Sequence, residues 1–215
     1  MITTVQASLK TFNTFGIEQK ASELMRITDI THLEAMLPVD PESIFILGGG
    51  SNILLTGDID KPVWINEIRG IKVWKDLGDE IVIKAGGGEN WHELVLWTLD
   101  QNLGGIENLS LIPGKVGAAP IQNIGAYGVE LADVFHHLEA YELSTGKKKI
   151  FESEDCSFGY RDSYFKREGK GDYFITHVYF KLQKAPHNLS LTYGTIESTL
   201  IEMGVEKPTI RDVSN

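Results

Sequence analysis

Residues 112–128 read IPGKVGAAPIQNIGAYG, and this stretch decides how the rest of the chain is interpreted. It contains four glycines, two prolines and three alanines, and Lys115 is its only charged residue. Glycine and proline at this density argue against a helix, and a linker would be less apolar. A backbone without bulky side chains can approach a flat or a charged partner closely. The sequence therefore predicts a binding loop here.

A second glycine-rich stretch lies upstream. Residues 43–47 (SIFIL) form an apolar run that predicts a buried strand, and residues 48–52 (GGGSN) follow it directly. Three glycines permit a turn whose consecutive backbone N–H groups converge on an anion such as a pyrophosphate, with Ser51 and Asn52 as added donors. The dinucleotide fingerprint GxGxxG is not met, since Ile53 stands where its last glycine should be. A plain tight turn is therefore an equally good explanation of these residues.

The remaining pattern is that of an α+β chain. The clearest helix spans residues 91–103, with Asn90 as its cap and Gly104 as its stop. A shorter helix is expected around Thr31, which is spaced to form a capping box with Glu34. Strands are predicted at 63–65, 71–73, 80–85, 138–143, 174–182 and 189–193, and helices at 196–203 and from 208 onward.

Charge and composition limit the classes of partner. The net charge of −10 and the pI of about 5.1 argue against nucleic acid or an anionic membrane, since both need a basic surface. The basic residues Lys166, Arg167 and Lys170 are interleaved with Glu168 and Asp172, which indicates a solvated loop. No apolar run approaches the roughly 20 residues of a membrane span. No signal peptide or pair of cysteines is visible, so we expect a cytoplasmic protein.

The motif FGYRDS occupies residues 158–163. If this segment is extended, Arg161 shares a face with small residues only and has room for a ligand beside it. A surface arginine paired with an acid is equally consistent with the pattern. The six histidines lack the spacing of a metal site, so no metal ligands are predicted. A triple glycine at residues 86–88 is interpreted mainly as a turn before the helix.

Six motifs occur in one order along the chain: NTFGI at 13–17, GGGSN at 48–52, GGGENW at 86–91, LIPGKVGAAPIQNIGAYG at 111–128, FGYRDS at 158–163 and LTYG at 191–194. Together they resemble the UDP-N-acetylenolpyruvoylglucosamine reductase (MurB) family of bacterial flavoenzymes, and the resemblance covers essentially the whole chain. It implies the FAD-binding fold of the vanillyl-alcohol-oxidase/p-cresol-methylhydroxylase type, followed by a separate substrate domain. We expect one FAD-binding subdomain at residues 1–68, a second at 69–208, and the start of the substrate domain at 209–215.

The resemblance also implies which residues form the site. Those expected to bind FAD are Gly48, Gly49, Gly50, Ser51, Asn52, Pro113, Gly114, Ala118, Ala119, Ile121, Gly125, Ala126 and Ile175. Tyr127 and Tyr193 correspond to contacts with a UDP-sugar substrate, and Arg161 corresponds to the catalytic arginine. Members of the family often carry serines at positions 118 and 119, so here any contact would come from the backbone.

The implied reaction is an NADPH-dependent reduction of UDP-N-acetylglucosamine enolpyruvate to UDP-N-acetylmuramate through FAD. It belongs to peptidoglycan precursor synthesis, and hence to cell-wall biogenesis, cell shape and cell division. Arg161 would place a permanent positive charge beside the substrate carboxylate while an enolate-like intermediate forms. In the family, the serine that donates the final proton and the glutamate that assists the arginine lie beyond residue 215. We therefore expect this chain to bind FAD without completing the reduction efficiently.

Two alternatives use the same residues. Another flavin oxidoreductase of this fold would keep GGGSN and the loop at 112–128 but would have no need of FGYRDS and LTYG. A non-catalytic FAD-binding module would need only the flavin-binding residues. The presence of both later motifs favours the reductase over another oxidoreductase.

Overall fold

A computed structural model describes residues 2–215 of the chain. The first sheet has four strands, Ile2–Ser8 (β1), Lys20–Ile27 (β2), Phe45–Leu47 (β3) and Ile59–Asn66 (β4). Their order is β1, β2, β4, β3; β1 is antiparallel to β2, while β2 and β3 both run parallel to β4. A short helix, α1 (Ile30–Met36), connects β2 to β3.

The second sheet is formed by antiparallel pairs only. Its strands are Ile71–Asp76 (β5), Glu80–Gly86 (β6), Leu103–Gly104 (β7), Phe135–Glu142 (β10), Lys148–Glu152 (β11) and Tyr173–Lys184 (β12). The order is β11, β10, β12, β6, β5, and β7 pairs with one end of β12. The strands β8 (Gly125–Ala126) and β9 (Val129–Glu130) form a separate small hairpin.

Four further helices complete the fold: α2 (Trp91–Asp100), α3 (Ser153–Cys156), α4 (Ile196–Glu202) and α5 (Ile210–Ser214). The predicted start of α2 is confirmed, because the side chain of Asn90 accepts a hydrogen bond from the N–H of Glu93 at 3.1 Å. Its end comes earlier than predicted, since Leu103 and Gly104 leave the helix path and pair with β12. Across residues 2–215, no helix has the length and apolarity needed to cross a bilayer.

Most predicted strands are confirmed: the segments at 63–65, 71–73, 80–85, 138–143 and 174–182 lie within, or within one residue of, strands of the structure. The segment predicted at 189–193 is wrong, since it is irregular. There the carbonyl of Ser190 accepts a hydrogen bond from the side chain of Asn108 at 2.9 Å, in place of a neighbouring strand. The apolar run at 43–47 becomes a strand only at Phe45, because residues 41–43 form a 3-10 turn.

Two local expectations about helices are also wrong. The cap of α1 is Asp29, whose carboxylate accepts from the N–H of His32 at 2.9 Å, while Thr31 lies inside the helix and donates to Asp29. The loop at 112–128 contains a 3-10 helix, Val116–Gln122, although its composition argued against any helix. It spans seven residues with Pro120 inside it, which is long for a 3-10 helix, and it ends at Asn123 in the left-handed conformation.

Among the residues that the structure describes, three apolar clusters hold the fold together. The largest lies between α2 and the second sheet, where Trp91 packs edge-to-face on Phe180 with ring centroids 5.8 Å apart. Another lies under the first sheet. The third joins the two sheets, with Trp64 of β4 packed edge-to-face on Phe174 of β12 at 6.3 Å. The sheets therefore share buried surface.

The two sheets also meet through backbone at the triple glycine of residues 86–88. The side-chain amide of Asn66 donates to the carbonyl of Ile175 at 2.7 Å, and its oxygen accepts from the N–H of Ile68 at 3.0 Å. A Cβ on Gly87 would lie 2.5 Å from both the Asn66 amide nitrogen and the Ile175 carbonyl oxygen. This segment is thus a crossing point between the sheets as well as a turn. The predicted subdomain limits stay a prediction.

Replacing Asn66 by alanine tests this junction. The Asn66→Ala change leaves the Ile175 carbonyl and the Ile68 N–H buried without their partners. Because each such group costs about 1–3 kcal/mol, we expect the free energy of unfolding to fall by about 2–4 kcal/mol in urea denaturation followed by circular dichroism. Asn188→Ala is the control, since Asn188 is exposed, and it should change stability by less than about 0.5 kcal/mol. Equal losses in the two variants would contradict the assigned role.

Candidate functional site

A cavity of about 830 Å³ lies between the two sheets. Its lining comes from three segments, at residues 44–53, 113–124 and 165–175, together with Pro41, Asn66, Gly87 and Trp91. The first segment is the end of β3 and the GGGSN turn, and the second is the loop with the 3-10 helix. Both glycine-rich stretches singled out in the sequence therefore face the same space.

The two glycine-rich loops touch each other through backbone. A Cβ on Gly49 would lie 2.7 Å from the Cα of Gly114, and one on Gly48 would lie 3.1 Å from the Cβ of Ala118. Side chains extend the contact: the Ser51 hydroxyl donates to the Pro113 carbonyl at 3.3 Å. The sequence predicted that these glycines make room for a ligand. In the structure they also make room for the other loop.

The GGGSN turn carries unused hydrogen-bond donors. Within residues 2–215, the backbone N–H groups of residues 48–52 donate to no protein acceptor, and the same holds for Gly114 and Lys115. Buried backbone N–H groups in folded proteins are nearly always paired. Gly50 is buried, and Gly48 and Ser51 are half-buried, so this row of donors at a cavity suits an acceptor from outside the chain. Consecutive N–H groups of this kind form concavities that bind anions.

The charges around the cavity have one sign. Lys115, Lys166 and Lys170 line it, and its described lining contains no aspartate or glutamate. The ammonium group of Lys115 donates to the carbonyl of Gly88 at 3.0 Å. Burial lowers the pKa of Lys115, and repulsion from Arg69 adds to the effect. A chain with a net charge of −10 thus encloses a cavity with a cationic lining.

The predicted cofactor residues fall into two groups. Eleven of the thirteen line the cavity: Gly48, Gly49, Gly50, Ser51, Asn52, Pro113, Gly114, Ala118, Ala119, Ile121 and Ile175. The other two, Gly125 and Ala126, form β8 outside the lining. The apolar side chains of Ile121, Phe174 and Ile175 give part of the wall a surface that suits a planar ring.

Arg161 lies in a tight turn at residues 158–163, which we call the arginine turn. The N–H of Gly159 donates to the carbonyl of Asp162 at 3.0 Å, and the reverse bond measures 3.1 Å. Arg161 itself has φ of +53°, in the left-handed region. The extended conformation considered for this motif is therefore wrong, because these paired hydrogen bonds close the chain on itself.

The guanidinium of Arg161 points back to the hairpin that follows the cavity loop. Its Nη2 donates to the carbonyl of Gly125 at 2.5 Å. Within residues 2–215 no carboxylate forms an ion pair with it, while the neighbouring Asp162 pairs with Arg167. The alternative prediction, that Arg161 is a surface arginine paired with an acid, is thus wrong. Four of the five guanidinium N–H donors remain for another partner.

Asn123 fastens the arginine turn to the cavity wall. This residue is almost fully buried and has φ of +43°. Its amide donates to the carbonyl of Gly159 at 3.1 Å and to the carboxylate of Glu130 at 2.8 Å, and its oxygen accepts from the N–H of Ala132 at 2.9 Å. Sequence reasoning missed Asn123, as it missed Lys115 and Asn66. Asparagine beside a glycine-rich loop was the available signal, because it tolerates the left-handed conformation.

Tyr127 and Tyr193 lie together outside the cavity. Their rings pack edge-to-face with centroids 6.5 Å apart, and each residue is 57% exposed. The carbonyl of Tyr127 accepts a hydrogen bond from the Asn108 amide at 3.3 Å, and the same amide donates to the carbonyl of Ser190 at 2.9 Å. The structure therefore brings these two tyrosines together although they are distant in sequence, and it places Tyr127 next to the hairpin that Arg161 contacts.

Comparison with known proteins places these features in a family. Residues 36–153 match a family model described as "FAD binding domain". The chain is 46% identical over 209 residues to the UDP-N-acetylenolpyruvoylglucosamine reductase of Flavobacterium johnsoniae, covering 97% of this chain and 62% of the relative. The reductase of the same name from Pseudomonas fluorescens is 47% identical over 212 residues, with coverage of 97% and 62%. The chain thus spans about 62% of the length of these curated relatives.

Solved structures give the same result for the fold. The crystal structure of UDP-N-acetylenolpyruvylglucosamine reductase (MurB) from Thermus caldophilus aligns with a TM-score of 0.67 and 26% identity, over 94% of this chain and 66% of that one. A solvent-stable cholesterol oxidase aligns with a TM-score of 0.58 and 10% identity, over 81% of this chain and 37% of that one, which shows likeness of fold alone. The α+β fold is thus the FAD-binding fold of the vanillyl-alcohol-oxidase type. The chain belongs to the FAD binding domain family, and it is similar to curated proteins named UDP-N-acetylenolpyruvoylglucosamine reductase (MurB).

Proposed function

We propose that this chain is the flavin-binding part of an NADPH-dependent reductase that acts on UDP-N-acetylglucosamine enolpyruvate. The observation that carries the proposal is the row of N–H groups at residues 48–52, which have no partner among residues 2–215 and line a cavity without carboxylates. A pyrophosphate offers the acceptors and the negative charge that such a site favours. FAD contains a pyrophosphate between two ring systems, and the cavity provides both polar and apolar walls.

The residues present fit FAD in the following way. Residues 48–52, with Gly114 and the charge of Lys115, would hold the pyrophosphate. Ile121 and Ile175 would contact a planar ring. Ala118 and Ala119 have no hydroxyl group, so their part in binding would be limited to backbone and methyl contacts.

When bound, FAD would supply hydride transfer from NADPH to the enolpyruvyl group of the substrate. The contribution of this chain is the placement of Arg161. Its guanidinium is planar and cationic, and one of its donors is anchored on the carbonyl of Gly125, which fixes the direction of the group. The remaining donors would bind the enolpyruvyl carboxylate and stabilise the charge that develops on it during reduction.

Tyr127 and Tyr193 would hold the UDP-sugar part of the substrate. Their paired rings present both an apolar face and a phenol hydroxyl to solvent, and Tyr127 is close in the chain to the anchor of Arg161. The product would be UDP-N-acetylmuramate, a precursor of peptidoglycan.

This chain matches about 62% of the length of its curated relative from Flavobacterium johnsoniae. We propose that the remaining part of such a protein supplies the serine that donates the final proton and the glutamate that assists Arg161. On this proposal the chain by itself retains FAD but turns over its substrate poorly.

Replacing Gly49 by alanine tests the flavin site. A Cβ there would lie 2.7 Å from the Gly114 backbone and would push the two loops apart. Because overpacking costs about 1–3 kcal/mol, we expect FAD affinity to fall about tenfold or more, measured by quenching of flavin fluorescence. Gly57→Ala is the matched control, since a Cβ on Gly57 meets nothing within 4 Å. The assignment would be wrong if the wild-type protein bound no FAD, or if both variants lost FAD affinity equally.

Replacing Arg161 by glutamine tests the catalytic assignment. The assay uses a fusion of this chain to the C-terminal part of the Flavobacterium johnsoniae relative, and it follows substrate-dependent oxidation of NADPH. We expect kcat to fall about 100-fold or more while flavin absorbance is retained, because a donor to the developing charge is lost. Arg211→Gln is the control, since Arg211 pairs with Asp100 on the surface. Near-normal kcat in the Arg161→Gln protein would exclude the role.

A further inference from the structure

A second, smaller cavity of about 230 Å³ opens on the second sheet, and none of its residues lines the larger one. Its lining consists of Arg69, Gly70, Ile71, Lys72, Lys84 and His177. These residues come from β5 and the connection before it, from β6 and from β12. Half of them are lysine or arginine and none is acidic, in a chain with a net charge of −10.

The two lysines of this lining face each other directly. Lys72 of β5 and Lys84 of β6 are register partners in an antiparallel pair, so both side chains project from the same face of the sheet. Opposed residues have Cβ atoms about 5 Å apart, and like charges at that position are destabilising. Lys84 pairs with Glu139 at 3.0 Å, whereas Lys72 forms no ion pair within residues 2–215. The repulsion is therefore only partly relieved by the protein.

The neighbouring carboxylates do not balance the cations. Glu139 is shared by Lys84 at 3.0 Å and Lys148 at 2.8 Å. Burial acts to raise the pKa of Glu139, but hydrogen bonds from the two lysines outweigh it and lower the pKa to about 2. Arg69 has one partner, Glu89, at 3.5 Å. The lining therefore has three cations, of which Lys72 is unpaired and Lys84 shares Glu139 with Lys148 from outside the lining, so the cavity keeps a surplus of positive charge.

His177 adds a group that can respond to an anion. Its Nδ1 lies 3.2 Å from a Glu139 oxygen and 3.3 Å from the Thr176 hydroxyl, while its Nε2 has no partner among residues 2–215. Burial and repulsion from Lys84 lower the pKa of His177 to about 4, although Glu139 opposes this, so the ring is neutral at pH 7. An anion in the cavity would offset the repulsion and raise that pKa.

We propose that this cavity binds a phosphate dianion, free or as the phosphomonoester group of a small metabolite. The cationic side chains of Lys72 on β5, Lys84 on β6 and Arg69 on the connection before β5 face the space, and the neutral ring of His177 on β12 adds a donor, which suits a tetrahedral anion with several acceptor oxygens. A dianion balances the surplus charge and relieves the opposed lysines. The site needs no flavin, so this inference stands apart from the proposed reductase function.

Imidazole nitrogen NMR on the whole chain tests the proposal, with the His177 signals assigned by a His177→Gln variant. Sodium phosphate is titrated at constant ionic strength against sodium chloride. We expect a saturable shift of the His177 signals and a rise of its pKa by about one unit or more, because an opposite charge at close range stabilises the imidazolium. Amide signals of residues 48–52 report separately on phosphate in the larger cavity.

A charge-removing variant completes the test. Lys72→Gln should weaken phosphate binding about tenfold, because a charged hydrogen bond is lost and Lys72 makes no ion pair whose loss would unfold the protein. Lys75→Gln is the matched control on the same strand; Lys75 is opposite Val82 and does not line the cavity. Its effect should stay within about twofold, because screening weakens charges that do not contact the ligand.

The outcomes separate cleanly. No saturable shift of His177, or equal weakening in the Lys72→Gln and Lys75→Gln proteins, would overturn the proposal. A shift confined to residues 48–52 would overturn it as well. A parallel titration with glycerol 3-phosphate distinguishes the two sources: tighter binding than inorganic phosphate identifies a phosphorylated metabolite as the occupant, and weaker binding identifies free phosphate.

Discussion

The backbone contact between Gly49 and Gly114 is the constraint on which the site depends. With a Cβ at Gly49 only 2.7 Å from the Gly114 Cα, the two loops pack at a distance that no other residue permits. Gly50 adds a second requirement, since its φ is +65° and a Cβ there would lie 1.9 Å from the Phe12 carbonyl oxygen. These contacts fix the path of residues 48–52 and so the direction of their free N–H groups. The donors are therefore preorganised by packing within the protein, before any ligand arrives.

The same constraint recurs where the sheets cross. A Cβ on Gly117 would lie 3.0 Å from the Ile175 carbonyl oxygen and 3.1 Å from the Cα of Gly87. The glycine-rich segments thus meet one another around the cavity, in addition to facing it. A side chain at these points would push apart elements that carry the cavity wall. The small residues of 112–128 are consequently required by the packing of the fold as well as by the binding site.

Local signals in the sequence were enough for much of this architecture, and tertiary contacts account for what they missed. Asn90 and the helical spacing after it predict the start of α2, because a cap and a periodic apolar face act within a few residues. The conformation of Arg161 could not be predicted in this way. Its turn is held by Asn123, which reaches Gly159 across 36 residues, and the pattern of FGYRDS contains no trace of that bond. Strand β1 was missed because residues 3–6 are exposed and show no alternation between core and solvent.

Net charge is a poor guide to the sites of this chain, because charges beyond about 8 Å are largely screened at physiological salt. What matters is the exclusion of carboxylates from the linings of both cavities, among the residues that the structure describes. The two cavities are also close: Gly87 lines the larger one, and the adjacent Gly86 donates its N–H to the carbonyl of Gly70, which lines the smaller one. Across this crossing Lys115 and Arg69 repel each other, which contributes to the lowered pKa of Lys115.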